Sequence, residues 1–170
     1  RYELLEGELV LTPSPGFAHQ YVAANIEALL RAHVEKNNLG IVLDAPFDVV
    51  PAEDVVLQPD LLYLSRERFS LLTEECLRGM PDLVVEVLSP TSGRRDRLQK
   101  SRLYLHYGVR EYWVVDPAAE TVEVFSASEK GWLLTGVYGP EDTLASPLLP
   151  DFTPKVEDIF RLPPGVPVSR

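Results

Sequence analysis

Two acidic residues lie in apolar stretches where an uncompensated charge would be costly. Glu86 falls inside residues 82–88, a nearly continuous apolar run typical of a buried central strand. Asp60 opens a second apolar run, residues 61–64. A buried carboxylate must be paired, hydrogen-bonded or bound to a metal. If the two strands are neighbours, about 5 Å apart, both carboxylates could bind one hard cation. A buried ion pair or a protonated Glu86 would explain the same pattern without a metal.

Asp82 competes with Asp60 for this role, because Pro81-Asp82 repeats the pair Pro59-Asp60. Asp82 and Glu86 share one face of one strand but are separated by roughly 13 Å, at about 3.3 Å per residue. That separation is too large for shared coordination. Asp82 is therefore predicted to be a strand-entry or capping residue.

Lys100 is the cation with the most informative position. It falls within a helix predicted over about 95–107, which Gly108 ends. One narrow sector of this helix, with Tyr104 at its margin, collects Asp96, Lys100, Leu103 and Tyr107. Lys100 therefore faces the same way as apolar side chains, and its ammonium must find an anion or a phosphate. The alternative is an i,i+4 salt bridge with Asp96, worth a few tenths of a kcal/mol.

The elements that position these groups follow from hydrophobic periodicity and breaker residues. A helix is predicted over about 17–35, and a hairpin is expected to turn at Gly7. Further strands are predicted at 41–43, 47–50, 59–64, 82–88, 112–115 and 121–125, with a short strand at 132–134. Residues 66–78 fit either a helix or an irregular crossing segment. The proline-rich stretch from about 140 leaves room for little else that is regular.

Length and composition favour a single domain spanning 1–170, with a proline-rich C-terminal extension from about 140. The single cysteine, Cys76, excludes an internal disulfide framework and a cysteine-rich zinc site. Metal chemistry would therefore use oxygen ligands, which favour Mg²⁺ or Mn²⁺. No membrane-spanning run and no secretory signal is evident, so a cytoplasmic protein without a membrane partner is expected.

The net charge of −10 is unusual for a protein that binds DNA, since such domains are commonly basic. The charge is nevertheless uneven. One basic segment, in which Asp96 is the single acidic residue, contains Arg94, Arg95, Arg97, Lys100 and Arg102. Its arginines Arg94, Arg95 and Arg97 are candidate contacts to nucleic acid, because a local basic stripe can hold a phosphate backbone. The alternative is the solvated face of an amphipathic helix.

Taken in order, these residues resemble the PD-(D/E)XK nuclease superfamily, and specifically the restriction-endonuclease-like Uma2 (DUF820) group. The resemblance covers most of the chain. It rests on residues 2–8, His19, Pro59-Asp60, Glu86-Val87-Leu88, Ser89-Pro90, Asp96, Lys100 and residues 108–117. The usual lysine position, two residues after the glutamate, is Leu88 here. Lys100 matches the variant in which the lysine has migrated to the following helix.

This resemblance implies an α/β (α+β) mixed-sheet fold with a three-layer α/β/α core and extra β-strands. It also implies a Mg²⁺-dependent endonuclease that hydrolyses phosphodiester bonds of DNA. Asp60, Glu86 and the Val87 backbone carbonyl would bind the cation, and Lys100 would orient the attacking water. The auxiliary candidates are Glu8, His19 and Asp96. Of these, Asp96 would position Lys100. His19 is also consistent with a capping or core histidine.

Two other interpretations remain open at this point. In the first, the nuclease fold is a catalytically silent module that binds DNA or a protein partner. In the second, the chain is a self-associating structural domain, for which Leu98 and Leu105 would be contact residues. A homodimer is compatible with each interpretation.

Overall fold

The computed structural model describes residues 2–90 and 94–166, except for the side chains of residues 94–96. The strands are β1 (Tyr2–Leu5), β2 (Glu8–Leu11), β3 (Gly40–Asp44), β4 (Asp48–Ala52), β5 (Val55–Leu57), β6 (Leu61–Ser65), β7 (Cys76–Leu77), β8 (Leu83–Val87), β9 (Glu111–Asp116), β10 (Thr121–Ser128) and β11 (Gly131–Tyr138). The α-helices are α1 (Phe17–Lys36), α2 (Arg94–His106) and α3 (Val156–Phe160), and a 3₁₀ helix spans Arg66–Leu71.

The strands form two mixed sheets. The larger sheet has the order β11-β10-β9-β8-β6-β3, and the smaller sheet has the order β2-β1-β5-β4-β7. Helix α1 packs on one face of the larger sheet, while α2 and the smaller sheet contribute to the core on its other face. The predicted mixed-sheet fold, with a three-layer α/β/α core and extra strands, is therefore confirmed.

Strand β8 lies inside the larger sheet and is covered on both faces. Its residues Leu83, Val85 and Val87 belong to the core that also contains α1, whereas Val84 belongs to the core that contains α2. Covering on both faces explains why the strand is almost continuously apolar. Because side chains alternate along a strand, Glu86 shares its face with Val84 and points towards α2.

The register of β6 and β8 brings the two predicted acidic residues to the same end of neighbouring strands. These strands are antiparallel, with Leu61 opposite Val85 and Leu62 opposite Val84. Asp60 precedes Leu61 and Glu86 follows Val85, so each is the next residue beyond the same pair. Strand β9 runs parallel to β8 on its other side.

Helix α1 follows the predicted period. Its buried residues recur every fourth position and are Val22, Ile26, Leu30 and Val34. The helix begins after Gly16 and ends at Lys36, one residue beyond the predicted end. Within the described ranges, no helix is both long and apolar enough to cross a membrane.

The proline-rich C-terminal stretch is well packed over its described part. Helix α3 lies against α1, where the Asn25 side-chain amide donates to the carbonyl oxygens of Ile159 and Arg161, each at 3.0 Å. Core residues from this stretch are Leu144, Leu149, Phe152, Val156, Ile159 and Phe160. Helix α3 and the full length of β11 were not predicted. The division into domains stays a prediction.

Candidate active site

Glu86 receives two hydrogen bonds on one oxygen. Its Oε1 accepts from the ammonium of Lys100 at 2.8 Å and from the hydroxyl of Tyr104. Both donors come from α2, which packs on the Glu86 face of β8. The Glu86 side chain is 15% exposed. In the part of the chain that the structure describes, no hydrogen bond or ion pair engages Oε2, so this oxygen is available to a ligand.

Lys100 lies between two carboxylates. Its Nζ is 2.8 Å from Glu86 Oε1 and 3.1 Å from Glu3 Oε1, and its side chain is only 8% exposed. The helical sector predicted for Lys100 does face the interior, where Leu103 and Tyr104 are buried beside it. An ammonium carries three N–H donors. Two of them serve the carboxylates, and the third has no carboxylate partner among the described residues.

Glu3 was not predicted to take part in this site. It lies on β1 of the smaller sheet and is 2% exposed. Besides Lys100, its Oε1 accepts the Gln58 backbone N–H at 2.7 Å, and its Oε2 accepts the Thr12 hydroxyl at 3.2 Å. A sequence signal for Glu3 was present, because Glu3 shares the inward face of a short strand with the buried Leu5, two residues later. It is an acidic residue on an apolar face, the same pattern that indicated Glu86.

Asp60 is fixed by a backbone amide and a histidine. Its Oδ2 accepts the Val87 N–H at 2.8 Å and lies 3.0 Å from His19 Nε2. An ionised carboxylate only accepts, so Nε2 is the protonated nitrogen in this pair. His19 Nδ1 is buried and has no hydrogen-bond partner among the described residues. His19 therefore contacts a predicted metal ligand directly and does not act as a helix cap.

Burial and charge determine the protonation of this cluster. Burial raises the pKa of Glu86 to about 7, with further increases from Asp60 and Glu3, although the Lys100 ammonium opposes them. Burial alone would lower the pKa of Lys100, but the carboxylates of Glu86 and Glu3 raise it above the ordinary lysine value. Burial, followed by the Glu86 charge, raises the pKa of Tyr104. Lys100 is thus a charged donor and Tyr104 a neutral one at physiological pH.

The side chains around Asp60 and Glu86 determine which kind of metal site could form here. Across the described residues, no group of three or more His, Cys, Asp or Glu side chains could hold a metal ion by itself. The described residues therefore do not form a metal site whose ligands are all protein side chains. Mg²⁺ retains several waters and is commonly bound through one or two carboxylates together with substrate phosphates. Asp60 and Glu86 supply two carboxylates of the kind that this mode of binding uses, and the sharing of one cation between them stays a prediction.

The other predicted site residues are at least partly exposed or have side chains outside the described part of the chain. Glu8 is exposed at the start of β2, and Arg97 is partly exposed in the first half of α2. The side chains of Arg94, Arg95 and Asp96 lie outside the described residues. The predicted pairing of Asp96 with Lys100 therefore stays a prediction.

Asp82 lies at the entry to β8, one of the two roles predicted for it, and its side chain makes structural contacts. Its carboxylate accepts the Ser65 backbone N–H at 2.8 Å. It also lies 3.3 Å from both Arg68 Nε and Arg110 Nη1. With two arginines and an amide as partners, Asp82 is a structural acid, and the first Pro-Asp pair is the one that contacts the strand carrying Glu86.

Comparisons with known proteins identify the family of the chain. The model of the Uma2 family, described as "Putative restriction endonuclease", matches residues 1–160. A solved structure from Anabaena variabilis ATCC 29413, described as "a putative nuclease belonging to DUF820", has a TM-score of 0.78 and 18% sequence identity, and the similarity covers 94% of this chain and 89% of that one. The search of curated proteins found no match. Because the family model extends over most of its length, the chain belongs to the Uma2 family.

Proposed function

We propose that this protein is a metal-dependent endonuclease that hydrolyses phosphodiester bonds of DNA. The observation that carries the proposal is the placement of Lys100, whose buried ammonium contacts Glu86 on the strand next to Asp60. Burying a lysine between acidic side chains costs desolvation free energy, so stability alone does not favour this arrangement. Membership of a family described as "Putative restriction endonuclease" supports the same function.

Asp60, Glu86 and the backbone carbonyl of Val87 would bind Mg²⁺ or Mn²⁺. When bound, the cation would neutralise phosphate charge and lower the pKa of a coordinated water. Val87 already contributes its N–H to Asp60, which holds that carboxylate at the end of β6 next to β8. His19 would keep Asp60 oriented through its Nε2 proton.

Lys100 would act on the phosphate and on the attacking water. Its third N–H can donate to a phosphate oxygen or to the water oxygen while the other two remain on Glu86 and Glu3. An ammonium in a site sheltered from solvent stabilises the negative charge that develops on the phosphate during attack. Tyr104 would keep Glu86 in the orientation that both Lys100 and the cation require.

DNA must approach a chain whose net charge is −10. A bound divalent cation would reduce repulsion at the acidic centre. Arg97, together with Arg94 and Arg95, would contact the DNA backbone near the start of α2. Binding should therefore weaken as salt concentration rises.

The test is cleavage of supercoiled plasmid and of linear DNA by the purified full chain. We expect nicking or linearisation that requires Mg²⁺ or Mn²⁺, stops with a chelator, and is lost in Glu86→Gln. Glu129→Gln, which changes an exposed acid at the end of the β10–β11 hairpin, is the matched control and should retain activity. DNA binding without cleavage by the folded, metal-loaded chain would contradict the proposal and support the catalytically silent alternative.

A further inference from the structure

We infer that Glu3 is a positioning residue for the reaction, because it fixes the Lys100 ammonium and ties it to the segment that carries Asp60. This inference rests on the proposed nuclease function. It assigns a role to a residue outside the predicted set of Asp60, Glu86 and Lys100.

One oxygen atom makes both connections. Glu3 Oε1 is 3.1 Å from Lys100 Nζ and 2.7 Å from the backbone nitrogen of Gln58, which donates to it. Gln58 lies two residues before Asp60. Glu3 thus joins α2, which carries the lysine, to the approach of β6, which carries the aspartate. The second oxygen accepts the Thr12 hydroxyl at 3.2 Å and makes neither of these two connections.

The need for a second carboxylate follows from electrostatics. Glu86 is proposed to bind both the ammonium of Lys100 and a divalent cation. A carboxylate that neutralises a dication attracts an ammonium less strongly, and like charges repel in a site of low polarity. The pair with Glu86 alone would therefore release Lys100 as the cation binds. Glu3 gives the ammonium a partner that is not a proposed metal ligand, so Lys100 can stay in place.

A purely structural role for Glu3 makes a different prediction. A buried ion pair that only joins the two sheets would change stability when broken, and would leave the turnover of each folded molecule unaltered. A positioning role acts through Lys100. Removal of Glu3 should then have little further effect on turnover once the ammonium has gone.

The first experiment compares Glu3→Gln, Lys100→Met and the double variant, with Thr12→Val as the matched control. Gln can still accept the Gln58 N–H, but it lacks the charge that holds the ammonium. We expect kcat per folded molecule to fall about 10-fold to 10²-fold in Glu3→Gln, as for a reacting group displaced by about 1 Å. Mn²⁺ affinity, measured by calorimetry, should be unchanged, the double variant should be no slower than Lys100→Met, and Thr12→Val should stay near the wild-type kcat.

Three results would overturn the inference. A loss of Mn²⁺ affinity in Glu3→Gln would make Glu3 a ligand, unchanged kcat would make it structural, and additive losses in the double variant would show that it does not act through Lys100. If Glu3→Gln does not fold, Glu3→Asp keeps the charge with a shorter reach. It should then lower kcat without changing Mn²⁺ affinity, and an unchanged kcat would equally contradict the inference.

A second readout is independent of nuclease activity. The other lysines of the chain, Lys36, Lys130 and Lys155, are all exposed. In ¹H–¹⁵N spectra of the lysine-labelled chain, the buried Lys100 ammonium should therefore give the one slowly exchanging side-chain signal. In the presence of Mg²⁺, we expect Glu3→Gln to abolish this signal and Thr12→Val to retain it. If the wild type cleaves no DNA but shows this pattern, the nuclease proposal fails while the contact between Glu3 and Lys100 stands; a signal that persists in Glu3→Gln would contradict the positioning role.

Discussion

The backbone N–H of Val87 donates a hydrogen bond of 2.8 Å to Oδ2 of Asp60. Val87 is the residue that immediately follows Glu86, so the strand that presents one carboxylate also holds the other in place. A backbone donor cannot change its rotamer, and β8 is itself fixed between β6 and β9. The position of Asp60 is therefore set by the sheet.

Asp60→Asn should separate charge from structure at this position. The amide oxygen can still accept the Val87 N–H, so we expect the free energy of unfolding to fall by only about 1 kcal/mol. The lost charge should weaken Mn²⁺ binding and abolish cleavage. Chemical denaturation, calorimetric Mn²⁺ titration and plasmid cleavage on the same preparation measure these effects.

Asp82→Asn is the matched comparison from the second Pro-Asp pair. It leaves Arg68 and Arg110, which are partly exposed, beside a neutral side chain. We expect a larger loss of stability, about 2 kcal/mol, as for the loss of hydrogen bonds to a charged group. Mn²⁺ affinity and turnover per folded molecule should be retained. If Asp82→Asn abolished Mn²⁺ binding while Asp60→Asn did not, the choice between the two aspartates would be wrong.

Lys100→Met should reduce cleavage by about 10²-fold or more, because an electrostatic partner of the transition state is lost. Methionine retains much of the apolar volume of the lysine, so the fold should persist. Some stability will be lost, since Glu3 and Glu86 become neighbours without a cation between them. Turnover is therefore compared per folded molecule, well below the melting temperature. Full activity in this variant would remove the case for catalysis by Lys100.

Two buried tyrosines should respond differently to loss of the hydroxyl. Tyr104 donates to Glu86, whereas the hydroxyl of Tyr112 has no hydrogen-bond partner among the described residues. We expect Tyr104→Phe to lower the free energy of unfolding by about 1 kcal/mol and Tyr112→Phe to leave it unchanged or slightly higher. Urea denaturation of both variants tests this difference, and equal losses would contradict the hydrogen bond to Glu86.

Glu111 should make stability depend on pH. This buried carboxylate accepts hydrogen bonds from Trp113 Nε1 at 2.7 Å, the Ser146 hydroxyl at 2.6 Å and the Leu148 N–H at 2.8 Å. Burial raises the pKa of Glu111 above 4.5, although these hydrogen bonds oppose the rise. The unfolded chain therefore loses this proton at lower pH than the folded chain.

The stabilising contribution of protonated Glu111 is present below about pH 4.5 and is lost as the pH rises through the folded pKa. The difference in unfolding free energy between wild type and Glu111→Gln should accordingly decrease over that window. Urea denaturation at closely spaced pH values measures it. A difference that grows with pH would show that the three hydrogen bonds outweigh burial.

Elements with a long, consistent period could be predicted from the sequence. Helix α1 differed by one residue at its end, and the apolar run of β8 identified the central strand with Glu86 inside it. The short elements β7 and α3, of two and five residues, have too few residues to express a period. They depend on tertiary contacts, such as those of α3 with α1.

The candidate site was predictable where a single helix or strand carried the whole signal. Glu86 stood out because its own neighbours are apolar, and Lys100 stood out because its helical sector contains Leu103. Glu3 was missed because β1 belongs to a different sheet, and its strand of four residues shows a single alternation. No local sequence pattern indicates that one lysine contacts acidic residues from two different sheets.

The contact between Glu3, Lys100 and Glu86 also implies a trade-off between stability and activity. Three charged groups are removed from water here, and apolar side chains of similar volume often stabilise a fold more than a buried ion triad does. A triple replacement by well-packed aliphatic residues should therefore raise the melting temperature and abolish cleavage together. Thermal resistance and the proposed chemistry would then place opposite demands on these three positions.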